Sequence, residues 1–376
     1  MLKFAFITTR NTNVGDDFVR EGLRAALDEI CEYHPYLVHK HDPESTCGTP
    51  YPEEEDGPVL SDKLLEADAI FQTGAPVYWN LGTGPGQKCC TAEWIGPFWY
   101  DRIARVSATL PVLNIAAGGC QSYYGSAREI VDDPDCALFI RDIHAFCRIT
   151  TVRDTMAEEV NSLLGLSVIR MPCVSIHAWR RHKFSEVPRA IALNFMPIGG
   201  HYDLDGKTDP QLWARNFLSL DRILRLRGLP TSLVAHDRKE FNVMSAMFPD
   251  RTVFFSEDYR DYVRYYAGCR GGVFNRVHGA MLLAGRGAPA LVLGNDSRAR
   301  MVDELGLPRW HVSEADPEIV AGTLIEMLSQ KHTNARLIQT EDAAFLNLKK
   351  LLSNSLAASP LPQYPEHSSA KPRQQS

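Results

Sequence analysis

The sequence predicts an α/β protein made of two Rossmann-like, doubly wound parallel-sheet domains that face each other across a cleft. Short apolar runs, suited to strands buried on both faces, alternate with helical patterns through most of the chain. Its 376 residues are too many for one small domain and suit two domains of ordinary size. Such folds bind ligands at the carboxyl ends of their strands, so functional residues are expected there.

The composition is that of an ordinary globular protein. It has 44% hydrophobic and 23% charged residues, which excludes a fibrous or wholly disordered chain. A formal net charge of −6 argues against a dedicated nucleic-acid binder. No apolar run reaches the roughly 18 residues of a membrane span, and the N-terminus lacks a signal-peptide pattern. Because most of the nine cysteines lie singly in apolar stretches, a cytoplasmic protein with reduced thiols is expected.

The first βα unit has the clearest pattern. An apolar run at 4–7 predicts a buried strand, and a polar turn at 8–17 follows it. Apolar residues then recur at helical spacing between positions 19 and 30, so a helix is expected to begin near Asp16 or Asp17. Further strands are predicted at 69–71, 112–116, 152, 168–171, 191–195, 232–235, 253–255, 273–274 and 291–293, and helices at 211–227, 241–247 and 259–267.

A basic connector, Arg180-Arg181-His182-Lys183, separates the two halves of this pattern. The predicted domains are residues 1–184 and 185–353, followed by a Ser-, Pro- and Gln-rich tail at 354–376 that is expected to be disordered. Two segments interrupt the first domain. Residues 41–58 hold four prolines and an acidic run, typical of a solvated excursion. Residues 74–99 combine glycines with aromatic residues and suit either a sugar-stacking lid or packing over the sheet edge.

The segment around Arg276 and His278 carries the strongest functional signal. A strand runs to about Asn275, and a helix of small and apolar residues begins near His278, with Gly279 next to it. Backbone N–H groups at such a helix start form an anion site, to which an arginine and a histidine can add donors. The alternative is that Arg276 pairs with a surface carboxylate and His278 merely caps the turn.

Two turns in the first half have similar positions. Asn13-Val14-Gly15-Asp16 follows the first strand, where Asp16 heads a helix and could be no more than its N-cap. Val152-Arg153-Asp154 follows another apolar strand, and its arginine either points into the cleft or forms a local surface arrangement with Asp154.

Taken together, these turns resemble the polysaccharide pyruvyltransferase family. The similarity continues in Leu163-Leu164-Gly165-Leu166, Met171-Pro172, Gly287-x-Pro289 and Val302-x-Glu304-Leu305-Gly306-Leu307, in order from residue 6 to about 307. The resemblance implies the two-Rossmann, GT-B-like architecture of one large class of glycosyltransferases. It also implies transfer of a pyruvyl group from phosphoenolpyruvate to a sugar hydroxyl as a ketal, with donor binding on Arg153 and His278 and with Asp16 in the cleft.

The residue types suit that chemistry. Phosphoenolpyruvate carries a phosphate and a carboxylate, so a cationic pocket is needed, and Arg153, Arg276 and a helix N-terminus can supply it. Ketal formation requires a general acid and a general base. We hypothesise that His278 anchors and protonates the donor, and that Asp16 accepts the acceptor's proton. The expected catalytic residues are His278, Asp16 and Arg153, and the expected substrate-binding residues are Asn13, Gly15, Asn275, Arg276, Gly279, Arg298 and Arg300.

One departure from the family pattern lies at 294–300. The family usually places a lysine there, whereas this chain has Arg298 and Arg300, together with Asp296. Either arginine can replace the charge without reproducing the geometry of a lysine. No metal or cofactor is expected beyond the donor substrate. The pair His39 and His41 is expected at the surface, and the adjacent Cys89-Cys90 lacks partners at zinc-ligand spacing.

Two other functions stay open at this stage. A GT-B-type nucleotide-sugar glycosyltransferase would hold a diphosphate near His278 and grip the ribose with an acidic residue such as Asp303 or Glu304. A non-catalytic binding protein could keep the same fold, although it has no need for the following residues together: Asn13, Gly15, Asp16, Arg153, Arg276 and His278. For an enzyme, the expected partners are a small-molecule donor and a carbohydrate acceptor, without nucleic acid. The oligomeric state is not predicted.

Overall fold

The computed structural model describes residues 1–8, 14–39, 66–73, 76–82, 89–90, 103–183, 186–200, 202 and 204–357. Within these residues the chain forms two parallel sheets, each with helices packed around it. The apolar runs of the sequence become the buried strands of both sheets, as alternation of strand and helix patterns predicts.

The first sheet is seven-stranded, and every strand pair in it is parallel. Its order is β2-β1-β3-β5-β6-β7, with β4 paired to β5 beside this path. The strands are β1 (Leu2–Thr8), β2 (Tyr33–His39), β3 (Ala69–Gln72), β4 (Pro76–Tyr78), β5 (Val112–Gly119), β6 (Ile149–Val152) and β7 (Ile169–Arg170). The helices are α1 (Val14–Asp28), α2 (Ala104–Ser107), α3 (Arg128–Val131), α4 (Pro134–Phe146) and α5 (Thr155–Leu163).

The second sheet has six parallel strands in the order β10-β9-β8-β11-β12-β13. These are β8 (Ala190–Asn194), β9 (Thr231–Val234), β10 (Val253–Phe254), β11 (Cys269–Phe274), β12 (Ala290–Gly294) and β13 (Arg309–His311). The helices are α6 (Pro210–Leu226), α7 (Arg238–Met247), α8 (Tyr259–Ala267), α9 (Val277–Gly285), α10 (Pro317–Ser329) and α11 (Lys331–Ala357). Three 3-10 segments, Val174–Arg181, Ser297–Leu305 and Val312–Glu314, complete the described elements.

Each sheet reverses its winding direction at one point. In the second sheet this point lies between β8 and β11, because the chain leaves β8 toward β9 on one side and later returns to the other side. In the first sheet it lies between β1 and β3. A crevice opens where the connections diverge, and ligands of α/β proteins bind there. The fold therefore brings the first turn of α1 and the residues after β8 and β11 to the same cleft.

The 3-10 segment Val174–Arg181, here called the connecting segment, is packed between a helix of each domain. A Cβ atom added at Gly22 of α1 would overlap the carbonyl oxygen of Val174. One added at Gly285 of α9 would overlap the carbonyl oxygen of Ile176. Glycine is required at both positions because the backbones approach each other closely. The two domains are thus held against one shared element.

Several expectations about local structure need correction. Helix α1 begins at Val14, so Asp16 lies inside its first turn and is not the N-cap. The pattern analysis missed β2, which ends at His39, and the short strand β13. Residues 354–357, assigned to a disordered tail, continue helix α11, while 358–376 lie outside the described residues.

Other expectations fall largely on residues that the structure does not describe. Residues 41–58, most of 74–99 and the boundary at 184–185 are of this kind, so the domain limits stay a prediction. In the described part of 74–99, Tyr78 and Trp79 are buried in the core, which favours packing over a lid for these two side chains. Among the described helices, none combines the length and the apolar character needed to cross a bilayer.

Candidate active site

The cleft lies between the domains, at the carboxyl ends of the strands. Its wall includes Gly15 and Asp16 after β1, Arg153 after β6, and the turn 275–278 after β11. The space between these groups, together with the open solvent at its mouth, is about 570 Å³. A reciprocal pair of hydrogen bonds between Gln121 and Ser297 joins the domains beside it, with N–O distances of 2.9 and 2.8 Å.

Arg153 is a buried cation held at the end of β6. Its side chain is 1% exposed, so the alternative of a surface arrangement with Asp154 does not hold. Asp154 is equally buried and accepts from the backbone N–H groups of Ala157 at 2.8 Å and Gly119 at 3.0 Å. Among the described residues, Arg153 forms no ion pair, and its Nε has no hydrogen-bond partner. The neighbouring Asp154 attracts this charge without forming an ion pair with it, so an anionic ligand would be a closer partner for the buried guanidinium.

Gly118 makes room for this guanidinium. A Cβ atom at Gly118 would overlap Nε of Arg153, so any other residue here would displace the arginine. The register of β5 against β6 shifts between Asn114 and Ala117, and Ala116 in this irregularity has a φ of 58°. Positive φ is unusual for alanine, and bulges commonly adjust the strand ends that carry functional groups.

His278 lies across the cleft in the first turn of α9. Its Nε2 is 3.4 Å from Nη1 of Arg153. Because an arginine can only donate, Nε2 is the acceptor and the ring proton sits on Nδ1. Burial lowers the pKa of His278 well below its usual 6.5, and the charges of Arg153 and Arg298 lower it further. The imidazole is therefore neutral at pH 7 in the unliganded protein, and the role of His278 as proton donor stays a prediction.

Arg276 lines the same cleft, but acidic residues of the second domain surround its charge. It forms ion pairs with Asp237 and Glu240, and Glu240 is buried. Neither the expected surface carboxylate nor a free cation is found. Arg276 is thus a structural part of the cleft wall, and its charge is already balanced before any ligand binds.

Two asparagines fix the ends of the central strands. Asn275 accepts from the backbone N–H of Met196 at 2.7 Å and donates to the carbonyl oxygen of Leu293. Asn194 accepts from the backbone N–H of Arg276 at 2.8 Å. The amide of Asn275, expected to bind substrate, is therefore occupied in holding β8, β11 and β12 together at the point where the winding reverses.

The remaining predicted residues have different positions. Arg298 lines the cleft, and Asp296 binds it with 2.9 Å between Oδ1 and Nε; burial opposes its charge, but Asp296 raises the pKa of Arg298 overall. Arg300 instead donates to the carbonyl oxygens of Tyr123 and Gly125, both at 3.0 Å. Gly279 allows close packing, because a Cβ there would lie 2.7 Å from Cδ1 of Phe274.

The first turn of α1 contributes the acidic side of the cleft. Gly15 and Asp16 line it from the first domain, and Asp16 is 5% exposed. Asn13 lies outside the described residues. The acids considered for gripping a ribose are paired elsewhere: Asp303 with Arg309 at 2.6 Å, and Glu304 with Arg170. Within the described residues, no group of histidines, cysteines and carboxylates could hold a metal ion.

Sequence reasoning missed three contributors to the cleft. His236, after β9, lines it although its segment, Ala235-His236-Asp237, shows no recognisable motif. Gly118 lies at the end of an apolar strand, and sequence reasoning gave it no role. The adjacent glycines Gly118-Gly119 were the feature of the sequence that could have indicated a close approach there. Glu240 neutralises Arg276 from 36 positions away, and such a distant ion pair has no local signature.

Comparison with known proteins yields structural matches only. No protein-family model matches the chain, and no curated protein matches it either. Among solved structures, UDP-N-acetylglucosamine 2-epimerase from Rickettsia bellii matches with a TM-score of 0.55 at 13% identity, covering 94% of this chain and 95% of that one. The chain has a GT-B-like fold.

Two further matches are structures that contain UDP compounds. The S. aureus MnaA–UDP co-structure has a TM-score of 0.52 at 11% identity, covering 96% of this chain and 99% of that one. UDP-GlcNAc 2-epimerase from Neisseria meningitidis bound to UDP-GlcNAc has a TM-score of 0.50 at 11% identity, covering 95% and 99%. At such low sequence identities the matches show the fold alone. That fold confirms the predicted pair of parallel-sheet domains.

The resemblance to polysaccharide pyruvyltransferases is wrong. The structural matches reported above are UDP-N-acetylglucosamine 2-epimerases and not pyruvyltransferases. The short motifs behind it have local structural explanations: Asn275 joins strand ends, Arg276 balances buried acids, and Gly279 permits close packing. Phosphoenolpyruvate is therefore not retained as the donor.

Proposed function

We propose that the chain is an enzyme that acts on a nucleotide sugar, transferring the sugar of a UDP-sugar to a hydroxyl of an acceptor. The observation that carries the proposal is the buried Arg153, which forms no ion pair with the described residues, beside the first turn of α9. A helix start and an unpaired guanidinium in one cleft are suited to a phosphate-bearing ligand.

The diphosphate occupies the region between Arg153 and the start of α9. The first N–H groups of a helix have no partners within the helix, so they can donate to phosphoryl oxygens. When the bond between sugar and diphosphate breaks, negative charge develops on the leaving group. Arg153 and the helix start stabilise that charge, and such stabilisation is commonly the largest contribution to catalysis.

The acceptor approaches from the first domain. Asp16 is the carboxylate of the predicted set that lines the cleft there, so it serves as general base for the attacking hydroxyl. The neutral His278 orients Arg153 through its Nε2. The choice of UDP follows the structural matches, two of which are named as structures with UDP or UDP-GlcNAc.

Calorimetric titration of UDP tests the binding part of this proposal. Wild-type protein should bind UDP, and Arg153→Met should weaken binding by about 10- to 100-fold, the value of a charge-assisted hydrogen bond. Arg128→Met is the matched control, because Arg128 is exposed on α3 and its side chain is 65% accessible. Equal affinity in the wild type and Arg153→Met would overturn the assigned site.

An NMR assay with UDP-GlcNAc tests the reaction. Release of UDP that depends on an added acceptor sugar supports transfer. A change within the sugar itself, without an acceptor, would replace transfer with epimerisation. Binding of UDP without either change would leave a non-catalytic binding protein and overturn the proposed activity.

A further inference from the structure

His236 is a second buried polar group of the cleft that the proposed catalytic set does not use. It follows β9, and its side chain is 4% exposed. The ring is packed among aromatic side chains, with centroids 6.2 Å from Phe18 and 5.3 Å from Tyr262. Its position is fixed, because its backbone N–H donates to Glu240 at 2.8 Å.

One ring nitrogen of His236 is accounted for and the other is not. Nε2 lies 2.5 Å from the hydroxyl of Tyr266. Either group can donate in this bond; we assign the phenol as the donor and Nε2 as the acceptor, because within the described residues the hydroxyl proton has no other acceptor. The ring proton is therefore on Nδ1. This Nδ1 is buried and has no hydrogen-bond partner within the described residues.

An unsatisfied buried donor is costly and requires a partner. Burial and the nearby Arg276 lower the pKa of His236 well below its usual 6.5, so the ring stays neutral with a single proton. In the sheet, β8 lies between β9 and β11, so the end of β8 separates His236 from His278. Met196, Gly199 and Gly200, which follow β8, also line the cleft.

We propose that His236 is a ligand-binding residue whose Nδ1–H donates to a phosphoryl oxygen of the ligand held at the start of α9. This inference rests on the proposed function, since it places the ligand between Arg153 and α9. It extends the site by two strand positions, from the β11 turn across β8 to the β9 turn. The ligand class is a diphosphate, either free or as part of a nucleotide.

Two substitutions separate this role from a purely structural one. The side-chain nitrogen of asparagine is two bonds from Cβ, like Nδ1, whereas that of glutamine is three bonds away, like Nε2. His236→Asn keeps a donor at the Nδ1 position and loses the contact with Tyr266. His236→Gln keeps a group near Tyr266 and loses the Nδ1 donor.

The experiment is calorimetric titration of pyrophosphate and of UDP into the wild type and both variants, with thermal unfolding of each. We expect His236→Gln to weaken binding at least about tenfold, and His236→Asn by less than about threefold. The reverse order, or equal affinities in all three, would overturn the role of Nδ1 and leave the binding of UDP intact. Binding of pyrophosphate with the expected order, but none of UDP, would support the role and overturn the proposed function.

A second measurement serves if a variant does not fold. In the wild type, ¹⁵N-histidine NMR should show His236 as a neutral ring with its proton on Nδ1, and pyrophosphate should shift that signal. A proton on Nε2, or a signal that saturating pyrophosphate leaves unchanged, would overturn the inference.

Discussion

Arg153 of the first domain donates to His278 of the second domain across the cleft, with 3.4 Å between Nη1 and Nε2. The contact joins two residues 125 positions apart, and Arg153 forms no ion pair with a carboxylate of the described residues. Arg276 is only two positions from His278, yet its charge is balanced by Asp237 and Glu240. The charge of Arg153 is therefore left for a ligand, whereas that of Arg276 neutralises acidic residues of the protein. Substitution of the two arginines should change the free energy of unfolding in opposite directions.

Arg153→Met should make the protein more stable while weakening its binding of UDP. Burying a cation without a counterion costs free energy, and a methionine of similar length fills the space without that cost. We expect the free energy of unfolding to rise by about 1–3 kcal/mol, a trade-off typical of functional sites. Urea denaturation measures the change, and a loss of stability would show that Arg153 is structural.

Arg276→Met should have the opposite effect on stability. Its removal leaves Glu240, which is buried, without its cationic partner. Breaking a buried ion pair from one side costs about 3–5 kcal/mol. The same denaturation experiment checks this, with Arg128→Met as a control that should lie within about 0.5 kcal/mol of the wild type. A stability unchanged from the wild type would contradict the assigned pairing.

Gly22→Ala should destabilise the protein by about 1–3 kcal/mol or more, because its Cβ would overlap the backbone of the connecting segment at Val174. Gly322→Ala is the matched control. Gly322 lies within helix α10 with no atom near its hypothetical Cβ, so alanine there should stabilise the helix by about 0.5–1 kcal/mol. Thermal or urea unfolding of both variants is the measurement. Equal effects of the two substitutions would contradict the close packing of α1.

The protein should lose stability as the pH falls from about 7.5 to about 5.5. Burial lowers the pKa of His177, His236 and His278 in the folded state, so these rings stay neutral while the unfolded chain takes up protons below about 6.5. Proton uptake by the unfolded chain favours unfolding, with a slope of up to about 1.4 kcal/mol per pH unit for each histidine.

His278→Gln isolates one of these contributions. Its free energy of unfolding should vary less steeply with pH than that of the wild type, since one titrating group has been removed. The comparison also removes the opposing effect of Glu240, whose pKa burial raises, because that group is common to both proteins. Identical slopes would mean that His278 titrates normally in the folded protein.

The sequence predicts the architecture well because buried strands leave an apolar signal that needs no partner to recognise. It also placed Arg153, His278 and Asp16 in one cleft, since each follows a strand whose end faces that edge of its sheet. The sequence alone does not predict which of these charged groups are paired in the folded protein. Whether an arginine is free or paired depends on residues such as Glu240 and Asp237, which only the tertiary fold brings near Arg276. His236 likewise acquires its unsatisfied Nδ1 from the contact with Tyr266, 30 residues away.

The most direct test of the account is a crystal structure of the protein with UDP. We predict that the diphosphate lies in the cleft, with phosphoryl oxygens within hydrogen-bond distance of the Arg153 guanidinium and of backbone N–H groups in the first turn of α9. UDP bound elsewhere on the protein, or a diphosphate held by Arg276 with Arg153 left out of contact, would contradict it.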